Sequence, residues 1–313
     1  MPIFKKKDLK LITLKEIPFK KEKDLQEITE NNLETIFGLN FVRGLFYIKN
    51  LEIDTLAFDP ETKSFVIIEY KRDSSYSIVD QGFSYLSLMH ENKAEFVLAY
   101  NETFNKNFKK EDIDWGQTRL IFIAKSFTPH QINAVNFKNM PFELWEVVQF
   151  EDDLMQYRKI EISKSATSLD QIKNISTDNQ KVAREIKTYT EEDVFGKDGL
   201  PHDLYLTLKT KILQLYPDLV LNPKKAYVGF QIEDNWRNMF NVNKIRDGIL
   251  INFMRSTPKD FNDPQKKVYF MEKSREYYNQ DISLLEIKNE SDVIYAITII
   301  TQAYDRFVKE YGE

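Results

Sequence analysis

The chain has 313 residues, 42% of them hydrophobic and 30% charged, with 23 Phe, 16 Tyr and 3 Trp. That composition can build two hydrophobic cores and excludes an intrinsically disordered chain. Cysteine is absent, which excludes disulfides, thiolate nucleophiles and cysteine-ligated zinc or iron–sulfur centres. The 44 basic and 49 acidic residues give a net charge of −5, which excludes a binder that relies on an overall basic excess. Apolar runs such as Leu120–Ala124 are far shorter than the ~20 residues a membrane helix needs. Residues 1–10 lack the apolar region of a secretory signal. The expected location is the cytoplasm, with no membrane partner. Residues 1–25 carry eight Lys against four Asp or Glu, which reads as a solvated basic arm.

In residues 24–37, Leu25, Ile28, Leu33, Ile36 and Phe37 recur at helical intervals, with Asp24 placed to cap the helix and Gly38 to end it. Three strands follow, at 41–48, 51–58 and 64–71, separated by turns at Lys49-Asn50 and Asp59–Lys63. Residues 75–90 read as a helix burying Ile78, Val79, Phe83, Leu86 and Met89. Two apolar strands are expected at 95–100 and 119–124, then a short helix over 128–136 and a strand over 142–150. The order α-β-β-β-α-β-β-α-β predicts an α/β domain over 1–160, a mixed β-sheet flanked by helices. Residues 161–190 are polar and read as a linker. Residues 191–313 form a second, smaller α+β domain. Its expected helices lie at 202–216 and 292–311, and its expected strands at 226–232, 249–254 and 268–271.

Chemistry concentrates in residues 51–72. Asp54 lies in one strand and Glu69-Tyr70-Lys71 ends the next. Side chains alternate along a strand, so Glu69 and Lys71 share a face, and the hairpin can set Asp54 beside them. Two carboxylates buried together need a shared cation. Oxygen ligands suit Mg²⁺ or Mn²⁺ better than zinc, and such an ion can activate water against a phosphodiester. Glu69 and Lys71 alone would suit any solvated strand face. Val66-Ile67-Ile68, directly before them, argues for a buried strand instead. Arg72 and Lys93 read as surface residues, Asp59 as a turn residue and Glu52 as solvent-facing. His90, His130 and His202 are isolated and read as packing or surface residues. No P-loop, GxGxxG or GxSxG pattern occurs.

With these residues the chain resembles the PD-(D/E)XK nuclease superfamily, in its restriction-endonuclease-like fold. Asp54 matches the first acidic position, with Ile53 where a Pro often stands, and Glu69-Tyr70-Lys71 matches the (D/E)XK triplet. Gln81 and Tyr85 match the QxxxY pattern of the RecB-like and NucS-like branches, and residues four apart share a helix face. Glu34 lies on the preceding helix, where the family often carries a further metal-facing Glu. The resemblance covers roughly residues 24–150. It implies a Mg²⁺- or Mn²⁺-dependent DNA endonuclease of restriction, repair or defence type, prokaryotic, with Asp54, Glu69, the Tyr70 carbonyl and Glu34 around the metal. It implies Lys71 orienting water, Gln81 supporting the site and Tyr85 assisting. Nucleases of this fold often act as homodimers. The alternative is a catalytically silent module of the same fold that binds nucleic acid or a protein partner.

Residues 226–254 interleave aromatics with Arg237, Lys244 and Arg246, a pattern that serves base stacking and phosphate contacts or simply a core with polar turns. Residues 191–313 resemble a domain of unknown function that accompanies nuclease domains in some bacterial and archaeal proteins. With 17 basic and 20 acidic residues, this part offers no broad basic platform. Target recognition and dimerisation are its two expected roles.

Overall fold

In the computed structural model the protein is described over residues 2–49, 51–71, 78–137, 140–161, 163, 186–233 and 235–311. Two compact units emerge. The first comprises Met1–Asp59 and Lys63–Lys187, the second Pro60–Thr62 and Thr188–Glu313. Most of the polar stretch read as a linker, and Arg72, lie outside the described residues.

The first unit opens with strands β1 (Phe4–Lys7), β2 (Lys10–Thr13) and β3 (Glu16–Ile17), followed by helices α1 (Glu22–Glu30) and α2 (Leu33–Phe37). Strands β4 (Asn40–Ile48), β5 (Leu51–Asp59) and β6 (Ser64–Lys71) come next. Helices α3 (Ile78–Glu91) and α4 (Lys93–Phe104) then lead to β7 (Arg119–Ala124), α5 (Pro129–Val135), β8 (Phe142–Phe150) and β9 (Leu154–Lys159). The sheet runs β3-β8-β7-β6-β5-β4, with β9 added on β8. β4, β5 and β6 are mutually antiparallel, whereas β6, β7 and β8 are parallel. This is the expected mixed sheet flanked by helices.

The single helix expected over 24–37 is broken. The Asn31 and Asn32 amides reach back to the carbonyls of Glu27 and Ile28, both at 2.8 Å, and this competition ends α1. Asp24 is not the cap: it sits in the first turn and accepts the Lys21 backbone N–H at 3.0 Å. Gly38 does end α2, with φ of 68°.

Residues 95–100 are helical, not the expected strand. Their short apolar run fits either period, but β6 and β7 are parallel, and parallel neighbours need a long crossover. Helices α3 and α4 supply it. Phe96, Val97 and Tyr100 then fall on one buried face, and Asn105 caps α4 in the left-handed region.

The two sheet faces carry different cargo. Leu56, Phe58, Phe65 and Ile67 join Phe83, Leu86, Met89, Phe96 and Tyr100 from α3 and α4 in one core. On the other face α2 sets Phe37 edge-on to Trp145, with ring centroids 4.9 Å apart. Gly82 brings α3 tight against β8: a Cβ there would lie 2.6 Å from the Phe142 ring.

In the second unit the helices are Glu191–Phe195, Leu200–Leu215, Ser274–Tyr278 and Glu290–Tyr311. The strands are β10 (Leu219–Pro223), β11 (Tyr227–Ile232), β12 (Asn238–Ile245), β13 (Gly248–Met254), β14 (Tyr269–Phe270) and β15 (Ile282–Ile287). They form an antiparallel sheet in the order β10-β11-β12-β13-β15-β14. The two long helices pack on it through Leu204, Leu208, Ile212, Val293, Ile299 and Ile300. β10, β12 and β15 were absent from the sequence reading. β12, which mixes Asn238, Asn241 and Asn243 with apolar residues, lacks a clean alternation.

Candidate active site

The site forms where the β5–β6 hairpin comes apart. The ladder runs from Asp59–Ser64 to Thr55–Ile68 and stops one pair short of Asp54 and Glu69. Beyond that point the two carboxylates replace the lost backbone partners. Asp54 Oδ2 accepts the Tyr70 N–H at 3.0 Å, and Glu69 Oε1 accepts the Asp54 N–H at 3.3 Å. On its other side β6 stays paired with β7 through Lys71–Ala124, so Glu69 is held on a buried central strand.

Two side chains close on Glu69, one from β6 itself and one from α3. Lys71 Nζ lies 3.2 Å from Glu69 Oε2, with side-chain exposures of 17% and 2%. From α3, Gln81 Nε2 donates to the same oxygen at 3.2 Å and to the Tyr85 hydroxyl oxygen at 3.1 Å. The Tyr85 hydroxyl in turn donates to the Glu52 carbonyl at 2.9 Å. The residues of the QxxxY pattern are thus joined to both carboxylate-bearing strands.

The electrostatics follow from burial. Desolvation raises the Asp54 carboxyl above the ordinary aspartate range, against the Tyr70 amide and Lys71, which pull it down. Glu69 is pushed up to about 7, first by burial and then by the Asp54 charge, with Lys71 opposing. Burial, followed by the Glu69 charge, raises the Tyr85 phenol. Two acids therefore sit where ionising both is costly despite one ammonium.

Not every sequence-nominated residue joins this group. Glu34 is exposed on α2, the helix whose Phe37 packs on Trp145. The strand registers put Trp145, Ile123 and Tyr70 on the face opposite Asp54 and Glu69. Glu34 therefore does not reach the carboxylate pair, because α2 packs on the other face of the sheet. Tyr70 likewise sends its ring to the opposite face, where Thr55 Oγ1 lies 3.4 Å from its hydroxyl. Its backbone amide is what touches Asp54.

Glu30, which the sequence reading did not consider, turns toward β5 on the Tyr70 side of the sheet, opposite the Asp54 and Glu69 carboxylates. Its Oε1 accepts from Thr55 Oγ1 at 2.6 Å and from Gln26 Nε2 at 2.9 Å. Gln26 also donates to the Asp54 carbonyl at 3.1 Å. That carbonyl is open to a side chain because the β4–β5 ladder skips the Leu45–Asp54 pair, where Leu45 adopts φ of 47°. The Asp54 backbone is thus bonded on both sides by side chains.

Other nominated residues have structural partners. Asp59 binds Arg119 at 3.0 Å, Lys93 lies over the Trp115 ring at 5.3 Å, and Glu52 is exposed. His90 bonds Thr118 at 2.9 Å and His202 bonds Asp203 at 3.1 Å.

Among the described residues no group of three His, Asp or Glu side chains is arranged to hold a metal ion. The donor set at the site is two buried carboxylates. Their chemistry fits a hard divalent cation, since both are oxygen donors and each is strained by burial when ionised.

No protein-family model matches the chain. Among solved structures, partial likenesses are found to an EndoMS complex with double-stranded DNA (TM-score 0.30, 18% identity, 42% of this chain and 47% of that one). Others are a repair endonuclease from Pyrococcus abyssi (TM-score 0.25, 18% identity, 42% and 50%) and Pyrococcus furiosus SfsA with Ca²⁺ (TM-score 0.25, 12% identity, 45% and 63%). The chain thus spans about half the length of the first two. No helix among the described residues is long and apolar enough to cross a membrane. An uncharacterized protein of Haemophilus influenzae is 39% identical over 304 residues, 97% of this chain and 99% of that protein. The chain belongs to the same protein family as this Haemophilus influenzae relative.

Proposed function

We propose that the protein is a metal-dependent DNA endonuclease that hydrolyses phosphodiester bonds. The observation that carries this reading is the convergence of Asp54, Glu69 and Lys71 where β5 and β6 splay, braced by Gln81. Asp54 and Glu69 would hold Mg²⁺ or Mn²⁺, with the Tyr70 carbonyl as a further ligand implied by the family resemblance. The bound ion would offset phosphate charge and lower the pKa of a water ligand. Lys71, beside Glu69 and still partly exposed, orients the attacking water and offsets charge on the phosphorus as one P–O bond forms and another breaks. Gln81 fixes the Glu69 carboxylate, and Tyr85 ties α3 to β5 through the Glu52 carbonyl. Glu34 has no part in this reading. Residues 191–313 would serve target recognition or dimerisation, and the proposed setting is the cytoplasm of a prokaryote.

The test is cleavage of plasmid, linear duplex, modified duplex, single-stranded DNA and RNA with Mg²⁺ or Mn²⁺. Wild type runs beside Glu69→Ala and Lys71→Ala. Metal-dependent cutting lost in both variants is the expected result. Cutting retained by Glu69→Ala overturns the assignment. Duplex binding without any cutting would favour a silent nucleic-acid-binding module of this fold.

A further inference from the structure

We propose that β1 and β2 form a two-stranded arm that enters the major groove of a B-form DNA duplex. This rests on the nuclease reading above and adds a surface that reading does not use.

The two strands pair with each other, in the register Phe4–Thr13, Lys5–Ile12, Lys6–Leu11 and Lys7–Lys10. Every residue in both is exposed. An isolated hairpin is marginal in water, and this one has a further cost. Lys7 and Lys10 stand directly opposite each other, and like charges at such a position repel. An anionic partner relieves that repulsion.

Charge selects the partner. Phe4–Thr13 carries four Lys and one Asp in a chain whose net charge is −5. Opposed residues share a face and neighbours alternate, so Lys5, Lys7 and Lys10 fall on one side and Lys6 on the other. The one acid, Asp8, lies in the turn, with φ of 55°. A polyanion meets cations on both sides of such a ribbon, as it would between two phosphate walls.

Shape narrows it further. Four residues at ~3.4 Å each make a ribbon about 14 Å long, its strands about 5 Å apart. The B-form major groove, about 12 Å wide and 8.5 Å deep, admits a two-stranded ribbon. The major groove of A-form RNA is too deep and narrow. Leu9 is 98% exposed at the turn and Leu11 66% exposed on β2, which suits contact with thymine methyl groups on the groove floor.

The experiment is fluorescence anisotropy of a labelled short DNA duplex, in EDTA, across a salt series. The protein is the full chain, wild type against the triple variant Lys6→Ala, Lys7→Ala, Lys10→Ala. Lys5 is left in place because it is tied to Asp152 at 2.7 Å. Each lost phosphate contact lowers the slope of log K against log salt by about 0.9. The triple variant is expected to bind more weakly and to lose about 2.7 from that slope. Duplex RNA is expected to bind more weakly than duplex DNA and to respond little to the triple substitution.

An unchanged affinity and slope in the triple variant overturns the proposal. So does a change in oligomeric state with no change in DNA binding. Cleavage separates the two readings. If wild type and the triple variant cut duplex equally well, with the same salt response, the arm is wrong and the nuclease stands. If wild type neither binds nor cuts duplex, the nuclease reading fails and the arm with it.

Discussion

Replacing Glu69 by glutamine should make the metal-free protein more stable at pH 8 relative to wild type than it does at pH 4.5. Glu69 in the folded chain is pushed up to about 7, chiefly by burial and then by Asp54, whereas an exposed glutamate ionises near ~4.3. The folded state therefore favours the protonated acid. That contribution is fully present below ~4.3 and is lost as pH rises through about 7. At 1.36 kcal/mol per pKa unit, the full loss in wild type amounts to about 3.7 kcal/mol, of which about 3 falls between pH 4.5 and 8. A glutamine at this position has no such loss. It does place an amide NH2 either against both Lys71 Nζ and Gln81 Nε2 or, flipped, against the Asp54 N–H, at a cost that does not depend on pH, so the comparison between pH values isolates the ionisation. The assay is urea denaturation in EDTA between pH 4.5 and 8, on both proteins. The expected change in their stability difference is about 2–3 kcal/mol in favour of glutamine at the alkaline end. A difference independent of pH would refute the reasoning. It would mean that Lys71 already neutralises Glu69 and that the site carries no excess charge for a cation to relieve.

Two further substitutions probe how the site is held. Gly82→Ala would put a Cβ 2.6 Å from the Phe142 ring, and overpacking of this kind costs about 1–3 kcal/mol, more than the ~1 kcal/mol a helix gains from alanine. Phe142→Leu in the same chain should recover most of the loss in a denaturation double-mutant cycle, and no recovery would show that the ring is not the obstacle. Tyr85→Phe removes the donor to the Glu52 carbonyl and the acceptor for Gln81. It should cost about 1 kcal/mol and slow metal-dependent cleavage without abolishing it, and an unchanged rate would remove Tyr85 from the supporting group.

The hairpin and its polar residues were legible because period-two alternation fixes which side chains of β5 and β6 share a face. An apolar run ending in Glu69 and Lys71 needs a polar reason to be buried. Gln81 and Tyr85 were legible for the analogous helical reason. Three features were not. The end of the ladder at Thr55–Ile68, next to the two amides that the carboxylates accept from, has no residue signature. Glu34 was named from the family resemblance on a helix read as continuous over 24–37, and the Asn31 and Asn32 side chains that end α1 gave no clear signal in the periodicity. Residues 95–100 were given to a strand because their composition suits either period. The parallel pairing of β6 with β7, which demands a crossover, is a tertiary fact.

The most direct measurement of the central claim is Mn²⁺ binding, followed by electron paramagnetic resonance, to wild type, Asp54→Asn and Glu34→Gln at pH 8. The account predicts a site in wild type that is lost in Asp54→Asn and unchanged in Glu34→Gln, since Glu34 lies exposed on α2. Absence of the site in wild type, or its survival in Asp54→Asn, would contradict the account.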